Sequence, residues 1–196
     1  HTFRFKLLTS LLLTALGVGI FLVGGRGLIG LYLQGEGDAE TAAQAMGYGL
    51  QYLHVMLWGF LPFALSNAYS STLRETGETM VPMVAGICAV LVNLCLNYVL
   101  IFGHFGAPAM GVEGAALATV ISRFVELGIV AGWTHLHGER HPFIRGAFRS
   151  LYIPGRLFKS ILVKGMPLLV NEFLWSSGVA ILNQCYSTCG LDVVPA

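Results

Sequence analysis

The sequence predicts an all-α polytopic membrane protein with about five transmembrane helices, on the strength of its composition and its long apolar runs. Of its 196 residues, 55% are hydrophobic and 11% are charged, and the mean hydropathy is +0.72. An ordinary soluble domain carries about 25% charged residues, and a soluble fold could not hide so much apolar surface. High hydrophobicity excludes disorder. A net charge of +1 provides no basic surface for nucleic acid.

Charge-poor runs locate the individual helices, because a bilayer-spanning helix needs about 20 apolar residues. The first run ends before Arg26, and the second and third lie in stretches that contain no Asp, Glu, Lys or Arg. Arg123 and Glu126 interrupt the fourth run, and Glu172 lies in the fifth. These runs lack the short alternating pattern of a β-barrel. The predicted spans cover residues 7–25, 46–72, 80–103, 114–134 and 162–186.

Basic residues between the fourth and fifth spans predict the orientation and the domain organisation. Six of the 11 Lys and Arg residues fall there or at the entrance to the fifth span: Arg140, Arg145, Arg149, Arg156, Lys159 and Lys164. Since cytoplasmic loops are enriched in Lys and Arg, residues 139–160 are predicted to form a basic cytoplasmic linker. Residues 1–138 then belong to an N-terminal helix bundle, and residues 161–196 begin a C-terminal one.

Glu172 is the sharpest candidate for a functional residue. A charged side chain deep in the membrane costs about 2.5–3.5 kcal/mol on insertion scales, so it should face protein or water. Such a carboxylate can take a proton, hold a sodium ion or attract a cationic ligand. The alternative is a carboxylate near the interface that is solvated or paired for structural reasons. Asn171 and Asn183 add polar groups to the same span. With Glu172 they form the main predicted ion- and substrate-binding set.

The second and third spans contain further candidate binding residues. Pro62 removes a backbone hydrogen bond, and the freed carbonyl must be satisfied by a neighbour or line a cavity. Asn67 follows within two turns, and a simple packing kink is the alternative. Asn93 and Asn97 are four residues apart and share a helix face. Interhelical hydrogen bonding is the favoured role for both, and ligand binding is the alternative.

Other polar residues favour structural roles. Arg123 and Glu126 are three apart, so they are expected to pair and to lower each other's insertion cost, with an ion-pathway role as the alternative. The small residues from Gly111 to Thr119 favour close helix packing. No Ser/His/Asp or Cys/His pattern indicates an enzyme. No metal or cofactor is expected beyond a sodium ion at Glu172.

Several sequence patterns follow one another in a characteristic order. Their core is a Leu-Arg-x-Thr-Gly-x-Thr-x-x-Pro pattern at 73–82 and a Gly-Val-x-Gly-Ala-Ala-Leu-Ala-Thr pattern at 111–119. Segments 52–59 and 93–103 match as well. With these patterns the chain resembles the multidrug and toxic compound extrusion (MATE) family in its NorM-like branch. The resemblance covers residue 7 to about residue 190.

The resemblance implies a fold and a function. The family has twelve membrane helices in two bundles, and the five spans here correspond to helices three to seven. Because the chain begins with His1 rather than Met, we expect an internal fragment whose partner is the rest of the transporter. The resemblance implies a secondary active antiporter of the cell membrane that exports cationic drugs in exchange for Na+ or H+ by alternating access. Glu172 matches the family's helix-seven carboxylate, which is implicated in coupling and substrate binding.

Two other functions remain as alternatives. A lipid-linked oligosaccharide flippase of the same superfamily would need a cationic cavity, and only Arg123 lies well inside a span. A polytopic membrane enzyme is less favoured, because its only candidate acidic loop, at 36–40, contains no His. The expected partners are therefore cationic drugs, a coupling cation and the lipid bilayer, but not nucleic acid.

Overall fold

The computed structural model describes residues 2–32, 39–104, 108–139 and 155–187, and these residues are almost entirely helical. No strand occurs within these ranges. The described residues form α1 (Thr2–Tyr32), α2 (Ala39–Glu75), α3 (Met80–Phe102), α4 (Val112–Leu136) and α5 (Gly155–Ser187). The predicted all-α class is confirmed.

Four of the described helices are long and apolar enough to cross a bilayer: Thr2–Gly30, Met80–Phe102, Val112–Leu136 and Val163–Cys185. They contain most of the first, third, fourth and fifth predicted spans. The second predicted span lies in α2, which has 37 residues but is not among the four. Gln51, His54 and the nearby tyrosines lower the hydropathy of its central part. The architecture is that of an all-α polytopic membrane protein.

The fifth predicted span, 162–186, agrees with the apolar stretch Val163–Cys185, and the helix that contains it extends further towards the N-terminus. α5 starts at Gly155, so residues 155–160, predicted as the end of the linker, are helical. No proline or charge cluster separates this stretch from the apolar run, and Pro167 is accommodated inside the helix. Residues 140–154, which hold most of the predicted linker, lie outside the described residues.

The chain divides into two compact units. The first unit comprises His1–Leu22 and Gln51–Leu151, and the second comprises Val23–Leu50 and Tyr152–Ala196. In the second unit, the end of α1 and the start of α2 pack through glycines. A Cβ atom added to Gly49 would lie 3.4 Å from the Ile29 side chain, and one added to Gly30 would lie 3.6 Å from Met46.

The core of the first unit joins three helices. Phe3 of α1 meets Tyr69 of α2 edge to face, with ring centroids 5.1 Å apart. The Tyr69 hydroxyl lies 3.1 Å from Nε2 of His135, near the end of α4. Leu73 and Val130 are fully buried in the same cluster. Aromatic packing and a satisfied hydroxyl therefore hold the ends of α1, α2 and α4 together.

Helices α3 and α4 run antiparallel at close range because small residues line their contact. Buried alanines occur on both helices: Ala85 and Ala89 on α3, and Ala116 and Ala118 on α4. At Gly114, an added Cβ atom would lie only 2.8 Å from the carbonyl oxygen of Leu100. The prediction that the residues after Gly111 permit close packing is confirmed. Short side chains let helix backbones approach in a way that larger ones would block.

The Leu-Arg-x-Thr-Gly pattern ends α2. The backbone N–H of Glu78 donates to the carbonyl of Leu73 at 2.9 Å, and that of Gly77 donates to Arg74 at 3.2 Å. This pair of bonds is the Schellman motif, which needs a left-handed residue after the helix. Gly77 supplies it with φ of 91°. The glycine in this pattern thus has a structural role: it allows the backbone to end α2 before α3 begins.

A surface ion pair joins α1 and α2, and its loss is predicted to lower the stability only slightly. Nζ of Lys6 lies 2.6 Å from Oε1 of Glu75 and donates to the Ser71 hydroxyl at 3.1 Å. The Glu75 side chain is 60% exposed, and exposed pairs contribute roughly 0–1 kcal/mol. We expect Glu75→Gln to lower the stability of the full-length protein by less than about 1 kcal/mol in thermal unfolding. A loss of several kcal/mol would contradict this description of the pair.

Candidate functional site

Glu172 lies on α5, in the second unit, and is the only acidic residue of the apolar stretch Val163–Cys185. Its side chain is exposed, and it makes no hydrogen bond or ion pair with the described residues. At 1.5 Å per residue, it lies roughly 14 Å along the helix from Val163. The carboxylate therefore lies well inside the apolar stretch.

The two asparagines predicted to accompany Glu172 differ in their position around α5. Asn183 follows Glu172 by eleven residues, close to three full helical turns, so both lie on the same face about 16 Å apart. Asn171, the immediate neighbour, lies about 100° away around the helix. Both asparagine side chains are exposed. Asn183 can thus contribute to the same polar face as Glu172, whereas Asn171 occupies the adjacent face.

The polar residues of α2 lie in the first unit and have different surroundings. Pro62 is fully buried, and so is Ser66, one turn later. The Ser66 hydroxyl has no hydrogen-bond partner within the described part of the chain. Asn67 is exposed, and its Nδ2 donates to the carbonyl of Phe63 at 3.1 Å. The side-chain amide of Asn67 is thus hydrogen-bonded to a backbone carbonyl of its own helix.

A chain of polar side chains connects α3 to α4. Nδ2 of Asn97 donates to Oδ1 of Asn93 at 3.1 Å, and Nδ2 of Asn93 donates to Oγ1 of Thr119 at 3.3 Å. Thr119 in turn donates to the carbonyl of Ala115 at 3.0 Å. Asn93 therefore makes the interhelical bond that its position predicts, whereas Asn97 bonds within its own helix. Oδ1 of Asn97 is buried and without a partner among the described residues.

Arg123 and Glu126 form the predicted ion pair on α4. Nη1 of Arg123 donates to Oε2 of Glu126 at 3.0 Å, with 40% of the Arg123 side chain and 18% of the Glu126 side chain exposed. The guanidinium carbon also lies 5.0 Å from the centroid of the Phe63 ring, which is a cation–π distance. The pair thus links α4 to α2 as well as compensating its own charges.

An open cleft of about 300 Å³ lies between α3 and α4. Its polar lining consists of Asn93, Thr119, Ser122, Arg123 and Glu126. Thr119 and Ser122 were not among the binding residues predicted from the sequence. The signal was present, because the four α4 residues follow one another at i, i+3, i+4 and i+7, the spacing of one helix face.

The candidate residues are divided between the two units. Glu172, Asn171 and Asn183 belong to the second unit. Pro62, Asn67, Asn93 and Asn97 belong to the first.

Apolar helices of spanning length, with polar side chains at mid-span, define the class: a multi-pass membrane protein. Residues 1–99 match the family described as MatE. The chain belongs to this family, which confirms the resemblance seen in the sequence.

Several curated proteins are similar to the chain. It is 36% identical over 167 residues to the probable multidrug resistance protein NorM of Thermotoga maritima, covering 84% of this chain and 33% of that protein. It is 32% identical over 168 residues to the probable multidrug resistance protein YoeA of Bacillus subtilis, covering 80% of this chain and 36% of that protein. It is 26% identical over 157 residues to the multidrug resistance protein MdtK of Photorhabdus laumondii, covering 80% and 33%.

The chain spans about a third of the length of these curated relatives. No solved structure matches the chain.

Proposed function

We propose that this chain is part of a secondary active multidrug efflux antiporter, which exports organic cations and other xenobiotics in exchange for Na+ or H+ by alternating access. Membership of the MatE family and the relatives named as multidrug resistance proteins support this function. They favour a transporter over an enzyme. The assignment applies to the full-length protein.

The observation that carries the proposal is the exposed carboxylate of Glu172 at mid-span. An ionised carboxylate there is costly until a positive charge compensates it. A proton, a sodium ion and an organic cation can each neutralise it, but two cations cannot occupy the same carboxylate at once without repelling each other. Alternate occupation of one carboxylate by the coupling ion and the drug is a direct physical basis for exchange.

Asn183 supports this assignment because it shares the helix face of Glu172. Its side-chain carbonyl oxygen is the kind of ligand that hard cations accept, and its amide can bond a polar group of a substrate. Asn171 would serve the neighbouring face. In the first unit, Pro62, Asn67, Asn93 and Asn97 remain predicted contributors to ion or substrate binding.

The proposal also assigns an orientation in the cell membrane. The basic segment 139–160 is cytoplasmic, residues 1–138 belong to the N-terminal bundle, and residues 161–196 begin the C-terminal bundle. The excess of Lys and Arg between Arg140 and Lys164 supports this arrangement through the positive-inside rule.

Replacing Glu172 by Gln in the full-length protein tests the proposal. The substitution keeps the size of the side chain but removes the charge that binds both cations. We expect ethidium efflux from cells to fall by about tenfold or more, while the amount of protein in the membrane stays unchanged. Glu172→Asp keeps the charge and should retain part of the efflux.

Glu78→Gln is the matched control, because Glu78 lies in the turn between α2 and α3, outside the spans. This variant should transport like the wild type. Unchanged efflux in Glu172→Gln, at equal expression, would remove Glu172 from the mechanism.

A further inference from the structure

Arg123 is a permanent positive charge near the middle of a membrane span. It lies eleven residues after the first residue of α4 and thirteen before the last, which is roughly 17 Å and 20 Å along the helix. Arginine stays protonated under all ordinary conditions. Charged side chains at such positions within a span usually face the protein interior or a water-filled cavity and pair with a partner there.

The guanidinium has hydrogen-bonding capacity to spare. It carries five N–H donors, and within the described chain Glu126 is the acceptor of its hydrogen bond. Of the two charged side chains, Arg123 is more than twice as exposed as Glu126. The pair therefore presents the cation, rather than the carboxylate, to the open space beside α4.

Two clefts of different character meet at this guanidinium. The polar cleft between α3 and α4 is described above, and a second cleft of about 160 Å³ lies between α2 and α4. Met56, Phe60 and Phe63 give this second cleft an apolar, largely aromatic wall. Arg123 lines both clefts, so a positive charge stands at the edge of an aromatic surface.

We propose that Arg123 is the anion-binding group of a ligand site within the membrane, for a small aromatic carboxylate. The carboxylate bonds the free N–H donors of the guanidinium, and the ring lies against Phe60 and Phe63. Planar guanidinium and carboxylate groups match each other geometrically, and the aromatic wall favours a ring over an alkyl chain. Arg123 belongs to the first unit and Glu172 to the second, and the inference does not depend on cation transport at Glu172.

Equilibrium binding to the purified full-length protein, in nanodiscs of phosphatidylcholine, tests the site with three probes. 2-Naphthoate carries the ring and the anion, 2-naphthylmethylammonium carries the ring and a cation, and decanoate carries the anion without a ring. We expect 2-naphthoate to bind about tenfold more tightly than either of the other probes. Because Glu172 is itself a proposed site for organic cations, the three probes are also compared in Glu172→Gln, which should leave the affinities for 2-naphthoate and decanoate unchanged.

Variants assign the preference to named residues. Arg123→Gln combined with Glu126→Gln removes both charges at once, so that no unpaired charge remains in the span, and it should abolish the preference for 2-naphthoate over the ammonium probe. Arg123→Lys keeps the charge and should keep part of the preference. Phe63→Leu should weaken 2-naphthoate but not decanoate. Arg74→Gln, at the end of α2, is the control and should bind like the wild type.

Three results would overturn the proposal. The first is equal binding of 2-naphthoate and 2-naphthylmethylammonium by Glu172→Gln, in which the proposed cation site is removed. The second is an intact preference in the variant that lacks both charges. The third is binding of decanoate as tight as that of 2-naphthoate, which would assign the site to fatty acids instead of aromatic carboxylates.

Discussion

Gly114→Ala is expected to destabilise the full-length protein by about 1–3 kcal/mol, although alanine is the better helix former. The added Cβ atom would lie 2.8 Å from the carbonyl oxygen, 2.9 Å from the carbonyl carbon and 3.1 Å from the Cβ atom of Leu100. Two of these atoms belong to the backbone, so no rotation of a flexible side chain can relieve the contact. Helices α3 and α4 must move apart, and the packing between them loosens.

Gly128→Ala on the same helix is the matched control. An added Cβ atom at Gly128 meets nothing within 4 Å in the described structure, so only the gain in helix propensity remains. Thermal unfolding of the two purified variants should therefore shift in opposite directions, down for Gly114→Ala and up or not at all for Gly128→Ala. Equal shifts in the same direction would show that α3 and α4 do not meet at Leu100.

The second large effect concerns the ion pair at the middle of α4. Glu126→Gln leaves the Arg123 charge uncompensated in the span, and Arg123→Gln leaves the Glu126 charge uncompensated. We expect each single variant to lose about 2–3 kcal/mol of stability, since a mid-span charge is costly and the partner of a broken pair is left desolvated. The variant carrying both substitutions has no charge to compensate and should recover most of the loss.

A double-mutant cycle measures this coupling directly from thermal unfolding and from the yield of folded protein in membranes. Glu78→Gln, in the turn after α2, provides the baseline for losing a carboxylate outside the spans. If the double variant loses as much stability as the two single variants together, the residues do not stabilise each other.

Much of the fold follows from hydropathy and spacing alone. Charge-poor runs predict helices, and the four apolar helices contain predicted spans because lipid allows few other backbone structures. Local spacing also predicts the Arg123–Glu126 pair, since both partners lie on one helix face. The run of small residues that begins at Gly111 predicts close packing, which Gly114 provides.

Contacts between helices could not be predicted in the same way. Spacing shows that Asn93 points to one face of α3, but it does not reveal that Thr119 lies opposite. The contact between Phe63 and the Arg123 guanidinium could not be predicted either, because the two residues are distant in sequence and aromatic residues occur throughout the chain. Such pairings depend on how α2, α3 and α4 pack, which is a property of the whole bundle.

The extent of the helices beyond the membrane spans could not be predicted from hydropathy. α5 begins at Gly155, within the segment predicted as linker, because a basic composition does not prevent helix formation. The Gly77 pattern was used only as a family signature, although a glycine after a helix is also the mark of a left-handed cap. The role of Glu172 rests on its depth in an apolar stretch, which the sequence already indicated.

The most direct test of the central claim uses the full-length protein in proteoliposomes that contain ethidium on one side. An imposed gradient of Na+ or H+ should drive ethidium against its own gradient in the wild type and in Glu78→Gln, and should fail to do so in Glu172→Gln. Ethidium movement at the same rate in Glu172→Gln, or transport in the wild type that ignores both ion gradients, would contradict the assignment of a cation-coupled antiporter with Glu172 at its centre.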